Sequence, residues 1–150
     1  MAAAECTDIV GGVAFCPDGT VWADLTPTRP EGPRTLIWET ADLDLVVAEV
    51  PDRPENAATF SPDDLAGLID DMAPPADGSE ELGRFALVDG FPAFSRATRQ
   101  PDNGLVEMVS LHALGGTIVS VRTVAQAERL TQDHALRHEQ ALKSIVETGL

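Results

Sequence analysis

The sequence predicts an α+β fold: a twisted, largely antiparallel sheet with two main helices packed on it. Three observations lead there. Strand-like runs come first, then a helix, then more strands and a final helix, which is not the βαβ alternation of a parallel sheet. The second half reads as a meander, with Asp89-Gly90, Pro101-Asp102-Asn103-Gly104 and Gly115-Gly116 placed as hairpin turns. The chain has 150 residues, 43% of them apolar and 23% charged. That is a single-domain length, able to bury roughly two-thirds of its unfolded surface without a metal or a dense disulfide framework. Residues 1–150 are read as one domain, with 1–19 a cysteine-bearing segment and 20–150 the α/β sandwich.

The elements follow in order. Cys6 and Cys16 flank a segment in which Gly11-Gly12 reads as a hairpin turn. A two-residue turn there pairs Cys6 with Pro17. A three-residue turn over Val10-Gly11-Gly12 pairs Cys6 with Cys16 and permits a disulfide, worth about 2–3 kcal/mol through chain entropy. The alternative is two unrelated free thiols in a cytosolic protein. Confinement of both cysteines to the start of the chain favours the bridge, and their spacing gives no support to a thioredoxin-like redox motif.

Pro17-Asp18-Gly19 reads as a turn, residues 20–25 as a short strand carrying Trp22, and Pro27, Pro30, Gly32 and Pro33 as a stiff loop. Residues 34–40 and 44–50 form two strands joined through Ala41-Asp42-Leu43. A polar loop covers 51–59. Ser61 then caps a helix with Pro62 at its first position, Asp63 and Asp64 at the positive end of its dipole, and a stripe of Leu65, Leu68, Ile69 and Met72. Pro74-Pro75 stops it, and 76–81 is expected as an exposed acidic loop. Strands are expected over 84–88, 91–99, 105–114 and 117–124, and a final helix over 127–148, with Thr131 and Asp133 as alternative later caps.

Composition excludes some functions. The net charge is −15, and Lys143 is the single lysine beside nine arginines. Phosphate backbones and anionic membrane surfaces repel such a chain, so no nucleic acid is expected as a partner. The acidity points to a basic partner or to cations, or simply to a well-solvated surface. No apolar run reaches the ~20 residues that span a bilayer, so no membrane insertion is expected. Met1-Ala2-Ala3-Ala4-Glu5-Cys6 lacks the basic and apolar regions of an export signal, yet resembles the small-residue remnant left after signal cleavage.

The histidines are the first chemical candidates. At 3.6 residues per turn, Leu130, His134, Ala135, His138, Ala141, Leu142, Ile145 and Val146 share one arc of the last helix. His134 and His138, one turn apart, are weak candidates for gripping a divalent metal, as in a small metal-dependent hydrolase. The zincin glutamate is missing, and no third ligand lies nearby in sequence. The register set by Gly115-Gly116 puts His112 on the side of Val106, Met108, Val119 and Val121. The plainer reading is histidines at the edge of the core with hydrogen-bonded partners.

No catalytic residue is expected. There is no GxSxG, and Ser61, Ser79, Ser95, Ser110, Ser120 and Ser144 have no recognisable elbow or neighbouring base. Asp63, Asp64, Asp70, Asp71, Glu80 and Glu81 sit on helix ends and loops, where water keeps carboxylates ordinary. Calcium loops and phosphate-cradling glycine loops are absent, and with no tyrosine and 5% aromatics there is no stacking platform. No cofactor is expected.

The order of motifs carries a resemblance. Phe15-Cys16-Pro17-Asp18-Gly19-Thr20-Val21-Trp22, then Phe60-Ser61-Pro62-Asp63-Asp64-Leu65, then Val88-Asp89-Gly90-Phe91-Pro92-Ala93, then the strand over 116–124 and the helix over 134–145 with Lys143-Ser144-Ile145, together resemble the PsbP-like/DcrB-like α/β sandwich families. The resemblance covers the chain from about Phe15 onward. It implies a non-enzymatic accessory module that binds another protein, as a monomer or homodimer, in a periplasmic or secreted setting. The alternative within the same families is a cytoplasmic chaperone for a secreted effector. The cysteine-bearing N-terminus departs from the family pattern.

Overall fold

The computed structural model describes residues 6–10, 13–16, 20, 22–23, 35–40, 43–50, 61–75, 77–85, 93–101, 104–114, 117–125 and 129–147. Among these, the elements run β1 (Thr7–Val10), β2 (Val13–Phe15), β3 (Thr35–Trp38), β4 (Leu43–Glu49), α1 (Pro62–Met72), β5 (Glu80–Phe85), β6 (Ala93–Arg99), β7 (Val106–Leu114), β8 (Thr117–Ala125), α2 (Gln132–Lys143) and β9 (Ile145–Glu147). The main sheet has the strand order β3-β4-β8-β7-β6-β5, and a small sheet has the order β1-β2-β9. Every described pairing is antiparallel. The predicted α+β fold, a twisted antiparallel sheet with two helices on it, is therefore the one found.

The helices lie on opposite faces of the main sheet. Side chains alternate across a strand, and the pairing Ser110↔Val121↔Val47 shows which residues share a side. On one side Leu36, Trp38, Leu45, Val47, Val119 and Val121 pack with Ala141, Leu142 and Ile145 from α2 and β9, and with Ile9, Val13 and Phe15 from the small sheet. On the other, Val109, Leu111, Ala113 and Ile118 pack with Leu65, Ile69 and Ala73 at α1. β7 is consequently buried from Val106 to Ala113.

Local chemistry sets the boundaries. The Ser61 hydroxyl accepts from the Asp64 N–H, and the Asp64 carboxylate accepts from the Ser61 N–H at 2.9 Å, a reciprocal capping box. Ala73 ends α1 just before Pro74-Pro75. The C-terminal half of α1 is tied to the sheet by ions. Arg96, 1% exposed, donates to Asp70 Oδ1 at 2.8 Å and to the Ala73 carbonyl at 2.6 Å. Arg84 holds Asp70 Oδ2 at 2.7 Å and Glu81 at 2.6 Å. The Arg84 guanidinium, and after it that of Arg96, keeps the Asp70 carboxyl below its ordinary value, against the opposing effect of burial.

The first hairpin reaches the expected cysteine pairing by a different route. Val10 pairs with Val13, so the connection is the two residues 11–12, and the register then shifts between Asp8 and Val10 to set Thr7 opposite Phe15. That bulge at Ile9 supplies the extra residue expected in the turn. Cys6 and Cys16 are joined as a disulfide with their Cα atoms 4.2 Å apart.

Three expectations are corrected. The strand over 20–25 is a turn where it is described: Ala23 N–H donates to Thr20 O, and the Thr20 hydroxyl captures the Trp22 N–H at 3.2 Å, a local bond that competes with strand pairing. Trp22 is fully buried and donates its indole N–H to Leu43 O at 3.4 Å. The acidic loop over 76–81 ends early, because Glu80 opposes Arg99 across the β5–β6 ladder and pairs with it. The helix over 127–148 spans only Gln132–Lys143. Thr131 caps its start, the Ser144 hydroxyl bonds back to Gln140 O, and Ile145-Val146-Glu147 pairs with β2 instead. Val146, placed on the buried arc by helical counting, is consequently 37% exposed. The turns at Pro17-Asp18-Gly19 and Asp89-Gly90, the proline loop over 27–33 and the polar loop over 51–59 lie outside the described residues.

The disulfide closes a ten-residue separation. The double variant Cys6→Ser/Cys16→Ser is expected to lose about 2–3 kcal/mol of unfolding free energy, read as a lower urea midpoint. Reductant should lower the wild-type midpoint similarly and leave the variant unmoved.

Candidate functional site: a buried hydroxyl–imidazole chain

The most polar part of the interior lies where α2 meets the sheet. β6 contributes Ser95, β7 Ser110 and β8 Thr123, all on the α2 side and all fully buried. α2 contributes His134 and His138, 3% and 0% exposed. One hydrogen-bonded chain joins the five. Ser95 Oγ lies 2.5 Å from Ser110 Oγ, and Ser110 Oγ lies 2.6 Å from His138 Nε2. Thr123 Oγ1 lies 2.8 Å from both His138 Nδ1 and His134 Nε2.

Burial sets the charge. Both imidazoles are held neutral: burial pushes His138 down to about 3, with His134 adding to the effect. His134 is pushed down to about 4 by burial and, weakly, by Arg137, against the opposing influence of its bond to Thr123 and of Asp133. A neutral imidazole has one donor and one acceptor nitrogen, so the chain has two polarities. In one, His134 Nε2–H donates to Thr123, Thr123 to His138 Nδ1, His138 Nε2–H to Ser110, and Ser110 to Ser95. The reverse polarity puts the His134 proton on Nδ1, a buried atom with no hydrogen-bond partner. Orphaned buried N–H donors are the rarer fault, so the network assigns the first polarity.

The arrangement contains the geometry of a nucleophile and its base, Ser110 and His138, which serine spacing in the sequence did not reveal. Its chemistry is blocked by position. Ser110 Oγ is shared with Ser95, and all partners are sealed from solvent, so in this conformation no substrate carbonyl reaches the hydroxyl. Nor does the site resemble a metal centre. His138 has both ring nitrogens engaged by hydroxyls. Among the described residues no three His, Cys, Asp or Glu side chains are grouped to hold an ion. The two histidines singled out by helical spacing do meet, through a threonine. His112 shares their face of the sheet, 4% exposed. Thr123 and Ser110 were legible in principle: each is a small hydroxyl at a core-facing position in a strand of apolar neighbours, opposite a helix that turns histidines inward.

Thr123→Val keeps the shape but removes both links. It should destabilise by about 2–4 kcal/mol, since it strands the His134 N–H and the His138 Nδ1 lone pair. Urea unfolding near pH 7.5 measures this. A loss below about 0.5 kcal/mol would contradict the bonded chain. Compared with known proteins, the chain matches no family model and no curated protein.

Proposed function

We propose that this chain is a non-enzymatic accessory module that binds another protein, in a compartment where disulfides persist. The observation that supports the reading is a half-sheet that no described helix covers and whose side chains are only half-buried. One cross-strand row on the α1 side runs Arg96, Val109, Arg122, Val46, Ile37. Arg96 and Val109, beneath α1, are each 1% exposed, whereas Arg122, Val46 and Ile37 are only half-buried. The neighbouring rows repeat the contrast: Leu111 is buried while Ser120, Ala48 and Thr35 are half-buried. α1 shields β6 and β7, and beyond it β8, β4 and β3 present Ile37, Val46, Ala48 and Val124, half-buried, interleaved with Arg122, Ser120, Thr35 and Asp44.

Charge names the occupant. Arg84, Arg96, Arg99, Arg122, Arg137 and Lys143 are each already paired with a carboxylate. The chain carries 25 acidic against 10 basic residues, a surplus that a basic partner would complement. Asp44 lies on this face and Glu39 is exposed beside it. A protein segment with apolar side chains flanked by Lys or Arg complements both features. The Cys6–Cys16 bridge supports a periplasmic or secreted setting. No described helix is long and apolar enough to cross a membrane. The PsbP-like/DcrB-like reading belongs to this proposal and rests on the order of motifs alone.

A basic amphipathic probe peptide and its acid-substituted counterpart, titrated into isotope-labelled protein, test the surface. The basic probe should shift the amides of Ile37, Val46, Ala48 and Val124, and Val46→Glu should weaken it at least tenfold. Shifts centred on α2, or equal binding of the acidic probe, would sink the surface. Self-association through this face, seen by sedimentation and lost in Val46→Glu, would replace the foreign partner with a second copy. Thiol alkylation of protein taken from its native source tests the compartment: two free thiols would favour the cytoplasmic chaperone alternative.

A further inference from the structure

We infer that α2 is an acid-opened latch: protons taken up at its interface with the sheet detach α2 and β9 while the α1 side of the fold stays closed. The inference stands on geometry independent of the binding surface above. All three histidines of the sequence, His112, His134 and His138, lie buried in this one layer. The atoms bonded to His134 and His138 are hydroxyls, with no carboxylate among them. A proton added at His134 Nδ1 becomes a buried charged donor without a partner. A proton added at His138 Nδ1 points a second N–H at Thr123 Oγ1, whose own hydrogen then loses its acceptor. Neither cation is accommodated while the helix remains seated.

The surrounding charges do not rescue it. On α2, Asp133 and Arg137 pair with each other at 3.1 Å and Glu139 with Lys143 at 3.7 Å. β7 turns His112 to this layer and carries Glu107 on the other face, where it meets Arg122 of β8 at 3.5 Å. β6 brings Ser95, and carries Arg96 on the α1 side and Arg99 at the Glu80 pair. β4 turns Leu45 and Val47 to the layer, with Asp44 on the opposite face and Glu49 at the strand's end. β9 holds Glu147 at the register position opposite Val13. The latch can open alone because the apolar cluster around Leu65, Ile69, Val109, Leu111 and Ile118 includes no residue of α2.

The direction with pH follows from the neutral folded state. The opened helix has histidines with an ordinary value near 6.5, while the seated ones lie at about 4 and about 3. The open form therefore binds more protons, and acid favours it. Opening is suppressed above about pH 6.5 and grows as pH falls below it, by up to about 100-fold per pH unit once both histidines charge on release.

Hydrogen exchange resolved by residue, at pH 7.5 and pH 5 and corrected for intrinsic rates, is the test. Amides of α2 and β9 should lose at least tenfold protection at pH 5 while β7 and α1 keep theirs. Unchanged α2 protection, or equal loss across β7, α1 and α2, would overturn the latch; the second result is plain acid unfolding. His134→Gln/His138→Gln should flatten the pH response of α2, and a folded double variant with the wild-type response would also overturn it. If that variant does not fold, the wild-type exchange pattern decides.

Discussion

Strand β7 has water on neither side, and the placement of both helices follows from that. Its even-numbered residues, Val106, Met108, Ser110 and His112, need cover from one layer, and Val109, Leu111 and Ala113 need it from the other. α1 supplies one cover and α2 with the small sheet supplies the other. The central position of β7 and β8 in the strand order turns this into a three-layer arrangement, whose outer strands are free to be covered less completely. Each layer is then fastened by a different kind of contact. Arg96 and Asp70 clamp α1 with charge, whereas Thr123 and Ser110 hold α2 with neutral hydroxyls.

That difference in fastening matters for how the two sides respond to conditions. Asp70 is half exposed, so its ion pairs weaken gradually with salt and with acid well below neutrality. The histidine layer has no solvent contact through which to relax. Its members share one proton arrangement, and a change at one ring nitrogen propagates to the next hydroxyl. The buried polar chain thus trades stability in acid for a unique seating of α2: the helix can slide neither by a turn nor by a residue without breaking several bonds together.

Much of this architecture was legible in the sequence, because its signals were strong and local. Ser61-Pro62-Asp63-Asp64 fixes a helix start by capping chemistry alone, and Pro74-Pro75 fixes its end. Gly115-Gly116 fixed the β7–β8 register, so His112 could be assigned its side correctly. What was not legible depended on partners distant in the chain. Ile145-Val146-Glu147 continues a helical pattern until β2 offers it a ladder. Glu80 and Glu81 look like loop acids until Arg99 and Arg84 lie opposite. The serines looked inert because their base, His138, arrives from a helix that local spacing cannot place. The bulge at Ile9 is a further case: the pairing of the cysteines was readable, but not which residue absorbs the extra length.

The pairing of β2 with β9 joins residues from opposite ends of the described chain, Phe15 with Ile145. Cys16 adds a backbone bond to Ser144 at 2.8 Å. During synthesis the cysteine hairpin emerges before the main sheet, yet its second neighbour, β9, emerges only after it. Until then Val13 and Phe15 have no finished sheet to enter, and the loop that must close, from Phe15 to Ile145, contains every element of the main sheet, a slow event. Oxidation of Cys6 and Cys16 needs none of that wait, since the hairpin is local. The covalent bond therefore can be set first, leaving a preformed template on which β9 is recruited.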